Sequence, residues 1–192
     1  MFDTCVGLIV EQGTEKTTLK AVGERAGYSR GLAGSRFNSK SGLFCFVIKR
    51  VAEFWLNEMK NAIEDKTGYA AISAATDAHY YFCQTDPRQV RAFYILWFES
   101  VGCDSEMQKV VVSIHQRRLQ DVTNWIKRGV DAGELSPDIE ARKVAFYFLT
   151  SMSGIVYQWL IDPGREVEIN DLHEQLKQTM RLLLPNAKAV AS

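Results

Sequence analysis

An all-α fold of about nine helices is predicted by three features of the sequence. Apolar residues recur at intervals of three and four, as in Leu119, Val122 and Ile126. The four prolines stand where such periodic segments start or stop. No segment alternates polar and apolar residues as a half-buried strand would. The predicted helices span residues 2–12, 18–26, 30–37, 40–65, 69–85, 87–101, 105–132, 138–161 and 169–184.

Further stripes and helix starts support this assignment. Asp86-Pro87 and Ser136-Pro137 each combine a capping side chain with a proline at the first helical position, so both predict helix starts. Two more apolar stripes are predicted to face the core: Leu43, Val47, Val51 and Phe54, and Leu172, Leu176, Met180 and Leu183.

Composition indicates a folded protein with an uneven charge. The chain has 192 residues, of which 46% are hydrophobic and 24% charged, enough to bury a sizeable core. Net charge is zero overall, but residues 1–50 carry eight basic and four acidic side chains. The N-terminal quarter is therefore at +4 and the remainder at −4, which favours an anionic partner for the N-terminal end.

Neither cysteine usage nor hydropathy indicates an extracellular or membrane protein. The cysteines at positions 5, 45, 83 and 103 form no C-x-x-C pair, which argues against a zinc site or a disulfide framework and favours a cytoplasmic protein. Residues 2–10 lack the basic start of a signal peptide. Residues 144–161 carry no charge, but this run is shorter than the ~20 residues of a spanning helix. It is interpreted as a helix buried on two sides, and no membrane partner is expected.

The most informative segment is residues 17–43. Leu19, Val22 and Gly23 fall on one face of a short helix with Ala26, and the glycine at 27 permits a sharp exit. Small side chains on that face allow a second helix to cross closely. The segment therefore predicts a helix that ends in a tight turn.

Ser29 is a favourable N-cap for the helix that follows. Ala33 and Phe37 form its inward face, whereas Arg30, Ser35 and Arg36 face outward. Two short helices joined in this way specify a helix-turn-helix, whose second helix enters the major groove of DNA.

These residues resemble the TetR (tetracycline repressor) family. The likeness covers about the first 45 residues and rests on Glu11-Gln-Gly13, Thr17-Thr18, Ala26-Gly27-Tyr28-Ser29-Arg30-Gly31 and Phe37-x-Ser39-Lys40-x-x-Leu43. Farther along, Gly133-x-Leu135 and Asp162-Pro-Gly164 fit the looser pattern of the family.

The resemblance implies which residues contact DNA. Thr18 and Lys40 become phosphate contacts near helix starts, where free N–H groups favour anions. The remaining candidates lie on the second helix or cap it: Ser29, Arg30, Leu32, Ser35 and Arg36. Gly34 departs from the family pattern, which usually places an aromatic near this point. It either permits close approach to DNA or weakens the helix.

The resemblance also implies two domains, a DNA-binding domain at residues 1–45 and an effector-binding and dimerisation domain at 46–192. The second is rich in aromatic residues, most of which are expected in the core. The candidate effector contacts are Trp97, His115, Trp125 and Tyr157. A homodimer is expected through the helices near 138–161 and 169–184, because the first is more apolar than one intramolecular contact requires.

The predicted function is that of a ligand-responsive repressor that binds palindromic double-stranded operator DNA as a dimer. No catalytic residues, cofactor or metal are expected, because the chain has no H-E-x-x-H or G-x-S-x-G motif and its histidines at 79, 115 and 173 are far apart. Two alternatives stay open at this point. One is a helical small-molecule carrier or enzyme, and the other is an interaction module that has lost DNA binding.

Overall fold

The computed structural model describes residues 1–102, 105–162, 164 and 166–187, and all of their side chains except those of residues 30, 166 and 167. The described residues confirm the all-α prediction. They form nine helices: α1 (Phe2–Lys16), α2 (Leu19–Arg25), α3 (Arg30–Phe37), α4 (Lys40–Ile63), α5 (Gly68–Thr85), α6 (Pro87–Glu99), α7 (Glu106–Asp131), α8 (Ala141–Ile161) and α9 (Glu166–Leu183).

The chain divides into two compact units. The first contains Met1–Leu56 and Phe82–Ile114, and the second contains Asn57–Tyr81 and the residues from His115 onward. The unit that holds the predicted helix-turn-helix therefore extends beyond the domain predicted at residues 1–45, because it includes α6 and the first part of α7. The predicted functional boundary after residue 45 stays a prediction.

In the first unit, α1 packs against α2 and α6. The apolar run from Cys5 to Ile9 supplies the buried face of α1. Glu11, on the exposed side, accepts hydrogen bonds from Arg25 of α2 at 2.6 Å and from Arg88 of α6 at 2.6 Å. Near its end α1 is interrupted at Gly13, whose φ of +80° is not helical, which explains why the periodic pattern stops at residue 12.

In the second unit, α8 packs against α9. The buried side of α9 passes through Ile169, His173, Leu176, Met180 and the following Leu184. The predicted stripe was wrong at both ends, since Leu172 is half-buried and Leu183 is 39% exposed. Leu176 and Met180 are buried as predicted, and the error at the first end arises because the buried position is a histidine, His173, which a search for apolar periodicity passes over.

That histidine belongs to a buried pair. The His173 Nε2 lies 2.9 Å from the Nδ1 of His79 on α5, and both residues are 2% exposed. The His173 Nδ1 lies 2.7 Å from the backbone oxygen of Ile169 and donates to it. With its Nδ1 protonated, a neutral His173 must accept at Nε2, so His79 donates from Nδ1. Burial lowers the pKa of both histidines, that of His79 most strongly.

The predicted helix start at Pro137 was wrong, whereas α6 does begin at Pro87. The backbone N–H of Ser136 donates to the oxygen of Pro185 at 2.9 Å, and Leu135 forms a bridge with Asn186. This segment is not helical because its backbone groups pair with residues 185 and 186, and the Ser136 hydroxyl accepts a hydrogen bond from the backbone N–H of Asp138. Helix α8 therefore begins only after Glu140.

Helix α8 is the one described helix that is long and apolar enough to cross a membrane by length and composition, and 39% of its most apolar window is buried. The interpretation of this helix as buried on two sides was wrong for the single chain. One side is buried, through residues such as Phe148, Met152 and Val156. The other side exposes large apolar side chains, at Phe146, Tyr147, Tyr157 and Ile161.

One more core prediction was wrong, at the end of the stripe on α4. Leu43, Val47 and Val51 are buried as predicted, but Phe54 is 42% exposed. The buried side continues from Val51 to Met59 in steps of four residues, which places Phe54 on the flank.

Burial raises the pKa of the Cys5 and Cys83 thiols to about 12, so these thiols stay protonated at neutral pH.

Candidate DNA-binding site

Helices α2 and α3 are joined by a turn with defined hydrogen bonds. The backbone N–H of Tyr28 donates to the oxygen of Gly23 at 3.0 Å, and that of Gly27 donates to Glu24 at 3.1 Å. This pair of bonds ends α2 in a Schellman motif, which requires a left-handed residue at position 27. Gly27 has a φ of +74° and meets this requirement without strain. The turn thus sets the direction in which α3 leaves α2.

Packing then decides which side of α3 faces solvent. Ala33 is fully buried and Phe37 is 8% exposed, so the side that they share faces inward. Gly23 of α2 lies opposite Ala33, and a Cβ at position 23 would lie 3.5 Å from the Cβ of Ala33. The predicted inward side of this helix is therefore the one observed, and Ser35 and Arg36 of the predicted outward side are exposed.

The connection from α3 to α4 is equally constrained. Asn38 has a φ of +60°, and the Ser39 hydroxyl caps α4 by accepting from the backbone N–H of Gly42 at 2.9 Å. A Cβ at Gly42 would clash with the backbone oxygen of Phe37. Only glycine fits here, because the end of α3 lies directly against the first turn of α4.

The predicted DNA contacts lie on exposed parts of this unit. Thr18 caps α2 by accepting from the N–H of Ala21 at 3.1 Å and keeps an exposed side chain. Ser29 occupies the cap position of α3 without a capping hydrogen bond from its side chain. The exposed predicted contacts are Thr18, Ser29, Leu32, Ser35 and Arg36. The side chain of Arg30 lies outside what the structure describes.

Arg36 and Lys40 both have partners within the protein. The Arg36 guanidinium lies 5.5 Å from the ring centroid of Phe37 and 5.8 Å from that of Phe46. The Lys40 ammonium donates to the backbone oxygen of Glu15 at 3.2 Å, at the end of α1. These contacts hold both cations against the surface of the protein.

Sequence reasoning missed two features of this site. Tyr28 directly precedes the cap of α3 and is 47% exposed, although its position after Gly27 could have drawn attention to it. The second is Glu11, whose pKa is lowered by the hydrogen bond from Arg25 and, less strongly, by Arg88. No sequence pattern indicates this cluster, because its members are 14 and 77 residues apart.

The four predicted effector contacts do not all belong to one compact unit. Trp97 belongs to the first, where its ring lies 5.2 Å from that of Phe93. His115, Trp125 and Tyr157 belong to the second. There the His115 ring lies 6.4 Å from the ring of Phe146, and burial lowers the pKa of this histidine. Their assembly into one pocket stays a prediction.

An open groove of about 1020 Å³ lies in the second unit between α7 and the start of α8. Leu119, Lys127, Val130 and Asp131 line it from α7, together with residues between Ile139 and Phe146. None of the four predicted effector contacts lines this groove, although Phe146 joins it to the ring of His115.

Comparison with known proteins agrees with this geometry. Residues 2–45 match the family model described as "Bacterial regulatory proteins, tetR family". The chain is 21% identical over 173 residues to an uncharacterised HTH-type transcriptional regulator, YfiR of Bacillus subtilis, covering 90% of this chain and 84% of that protein.

Solved structures share the whole fold. A TetR transcriptional regulator from Chloroflexus aurantiacus superposes with a TM-score of 0.81 at 15% identity, covering 97% of this chain and 94% of that one. The triclosan complex of SmeT, the repressor of a Stenotrophomonas maltophilia multidrug efflux pump, gives a TM-score of 0.77 at 18% identity, covering 95% and 88%.

A helix-turn-helix with an exposed second helix, followed by a larger helical region, defines a transcriptional regulator that binds DNA. Residues 2–45 thus match the DNA-binding region of the TetR family, and the chain shares the fold of TetR-family transcriptional regulators.

Proposed function

We propose that the chain is a homodimeric repressor that binds a palindromic operator and whose affinity for DNA responds to an apolar or aromatic small molecule. The observation that carries the proposal is the α2–α3 turn, which directs the outward side of α3 away from its own core. The +4 charge of residues 1–50 supports a phosphate-rich partner.

Within this proposal the residues of the site have different roles. Thr18 and Lys40 contact phosphates, whereas the residues of α3 and its cap contact bases: Ser29, Arg30, Leu32, Ser35 and Arg36. Arg36 must leave the rings of Phe37 and Phe46 or reach past them, which a long flexible side chain can do.

The test is a comparison of two cation variants on DNA. We expect Arg36→Ala to lower discrimination between operator and random duplex by about 1–3 kcal/mol, the value of one bidentate base contact. Lys40→Ala should instead weaken binding to all duplexes. It should also reduce the slope of log affinity against log salt concentration by about one, as expected for the loss of one phosphate contact. Fluorescence anisotropy at several salt concentrations measures both. Equal losses on specific and random DNA for Arg36→Ala would contradict its role as a base contact.

The exposed side of α8 supports the dimer. Among the large exposed side chains of α8 are Tyr147 at 46%, Tyr157 at 50% and Ile161 at 62%. Tyr147 precedes Gly154 by seven residues, whereas Tyr157 and Ile161 follow it by three and seven, so all four positions share one side of the helix. Such an aromatic and aliphatic surface on a single chain is typical of a buried interface. Leu182 of the adjacent α9 is 81% exposed and extends the apolar surface available for pairing. An isologous contact through α8 and α9 gives the two-fold symmetry that a palindromic operator requires.

An effector is supported by the aromatic residues of the helical region and by the triclosan complex of SmeT. Triclosan is therefore a suitable first probe, followed by the fluorescence of the four tryptophans. If triclosan weakens operator binding, saturating operator must weaken triclosan binding by the same factor. Equal affinity for triclosan with and without operator would show that this compound does not act on DNA binding.

A further inference from the structure

The centre of the outward side of α3 is small and apolar. Because Ala33 and Phe37 face inward, the residues on the opposite side are Gly31, Leu32 and Ser35. Leu32 is 44% exposed, so an aliphatic side chain is accessible on this side of α3. Gly31 presents no side chain, and a Cβ there would meet nothing within 4 Å.

Little hydrogen-bonding capacity remains among the described side chains at this centre. The Ser35 hydroxyl donates to the backbone oxygen of Leu32 at 3.0 Å, within the helix. The Arg36 guanidinium lies over the rings of Phe37 and Phe46, toward the inward side. Among the described side chains at this centre, the one that can reach the floor of the major groove is therefore aliphatic, that of Leu32.

The major groove offers one apolar group to such a side chain, the C5 methyl of thymine. We propose that Leu32 is a specificity-determining residue that recognises thymine in the operator through this methyl group. Gly31, which adds no bulk beside it, lets the helix approach closely enough for that contact. The inference rests on the proposed function, since it names what one part of the DNA-binding site recognises.

The experiment removes the methyl group and nothing else. The full-length wild-type chain first selects its operator from a randomised duplex pool. Each thymine of the selected operator is then replaced in turn by deoxyuridine. Because burial of one methyl contributes about 0.8 kcal/mol, we expect about a fourfold loss of affinity at one or two thymines per half-site.

Variants assign the effect to a residue. In Leu32→Ala the selected operator should bind more weakly, and the ratio between thymine and deoxyuridine at those positions should fall to about one. Leu32→Met, which keeps an apolar side chain of similar size, should retain most of the discrimination. Val112→Ala shortens an aliphatic side chain of α7 that is 45% exposed and lies outside the helix-turn-helix, so this control should discriminate as the wild type does. Circular dichroism checks that each variant is folded.

Three results would overturn the inference. Equal affinity for thymine and deoxyuridine at every position, with sequence-specific binding intact, would remove the methyl contact while leaving the proposed function in place. Discrimination that persists in Leu32→Ala would assign the methyl to another side chain, such as the exposed Tyr28. A wild-type chain that enriches no sequence from the pool would overturn the proposed function together with this inference.

Discussion

Two glycines of the helix-turn-helix differ in whether the backbone requires glycine. Gly27 has a φ of +74° and open space around it, so its requirement is conformational. Gly23 is helical and buried beside Ala33, and a methyl group there would make an ordinary contact at 3.5 Å, so neither conformation nor space requires glycine at this position. The two positions therefore separate the effects of backbone conformation and packing.

We expect Gly27→Ala to lower the free energy of unfolding by about 1–2 kcal/mol, the cost of a left-handed residue with a side chain. Gly23→Ala should be neutral or stabilise the protein by roughly 0.5–1 kcal/mol, because alanine is the better helix former. Urea unfolding followed by circular dichroism compares the two. Similar losses in both variants would contradict a conformational role for Gly27.

A second prediction at this scale concerns the pair of His79 and His173. Burial lowers both pKa values in the folded chain, so the neutral forms are favoured there. In the unfolded chain the histidines keep a pKa near 6.5. Below that pH the unfolded chain therefore binds more protons at these two residues than the folded chain does. The contribution of the pair is therefore complete above pH 6.5 and is lost as the pH falls, by at most about 1.4 kcal/mol per pH unit for each histidine.

The variant His79→Asn keeps a donor toward His173 and removes one titrating group, so its stability should depend less steeply on pH between 5 and 7. His115→Asn, at a partly exposed histidine, is the control. It should change the slope of stability against pH less than His79→Asn does. Unfolding midpoints in urea at each pH give the slopes. Parallel profiles for His79→Asn and the wild type would refute the assignment.

At the scale of helices, Glu11 connects three elements through Arg25 of α2 and Arg88 of α6. All three side chains are exposed, so the surrounding water and salt screen their attraction. The lowered pKa of Glu11 means that this contribution is present above the ordinary carboxyl pKa and is lost as the pH falls through the folded value.

We expect Glu11→Gln to lower the melting temperature at low ionic strength and to match the wild type near 1 M salt, where the Debye length is about 3 Å. Glu24→Gln is the control, because Glu24 pairs with a single partner, Lys20, at 3.9 Å. Thermal melts at low and high salt measure the difference. A deficit in Glu11→Gln that is unchanged by salt would indicate a packing role.

Local patterns in the sequence predicted most of these elements, and the failures have a common cause. The tight turn at Gly27 and the inward side of α3 depend on neighbours within a few residues, so the sequence indicated both. The start of α8 depends on the backbone of Pro185, and the burial of His173 depends on His79, 94 residues away. The predicted DNA and effector contacts depend on molecules outside the chain, so they stay predictions.

At the scale of the whole molecule, the exposed side of α8 is the largest feature that a single chain leaves unexplained. Gly154 lies among the exposed aromatic residues, and a Cβ there would meet nothing within 4 Å of its own chain. A larger residue at this position is therefore tolerated within one chain. It would be harmful only where a second helix approaches closely.

We expect Gly154→Glu to leave helix content unchanged and to convert the proposed dimer to a monomer, because a buried unpaired carboxylate opposes pairing. Asn61→Asp, which adds a charge to an exposed position of α4, is the control and should stay dimeric. Light scattering coupled to size-exclusion chromatography at micromolar concentration gives the mass. A dimeric Gly154→Glu protein would place the interface elsewhere.

The close contact between Gly42 and Phe37 has a consequence for genetics. A substitution at Gly42 displaces α3 from α4, whereas the apolar side of α8 belongs to the other compact unit. Such a chain would still pair with wild-type subunits while presenting a misplaced α3. In a cell that expresses both alleles equally, most of the proposed repressor dimers would then carry at least one inactive half. Mutations at Gly42 are therefore expected to be dominant, and their phenotype should grow with the ratio of mutant to normal gene copies.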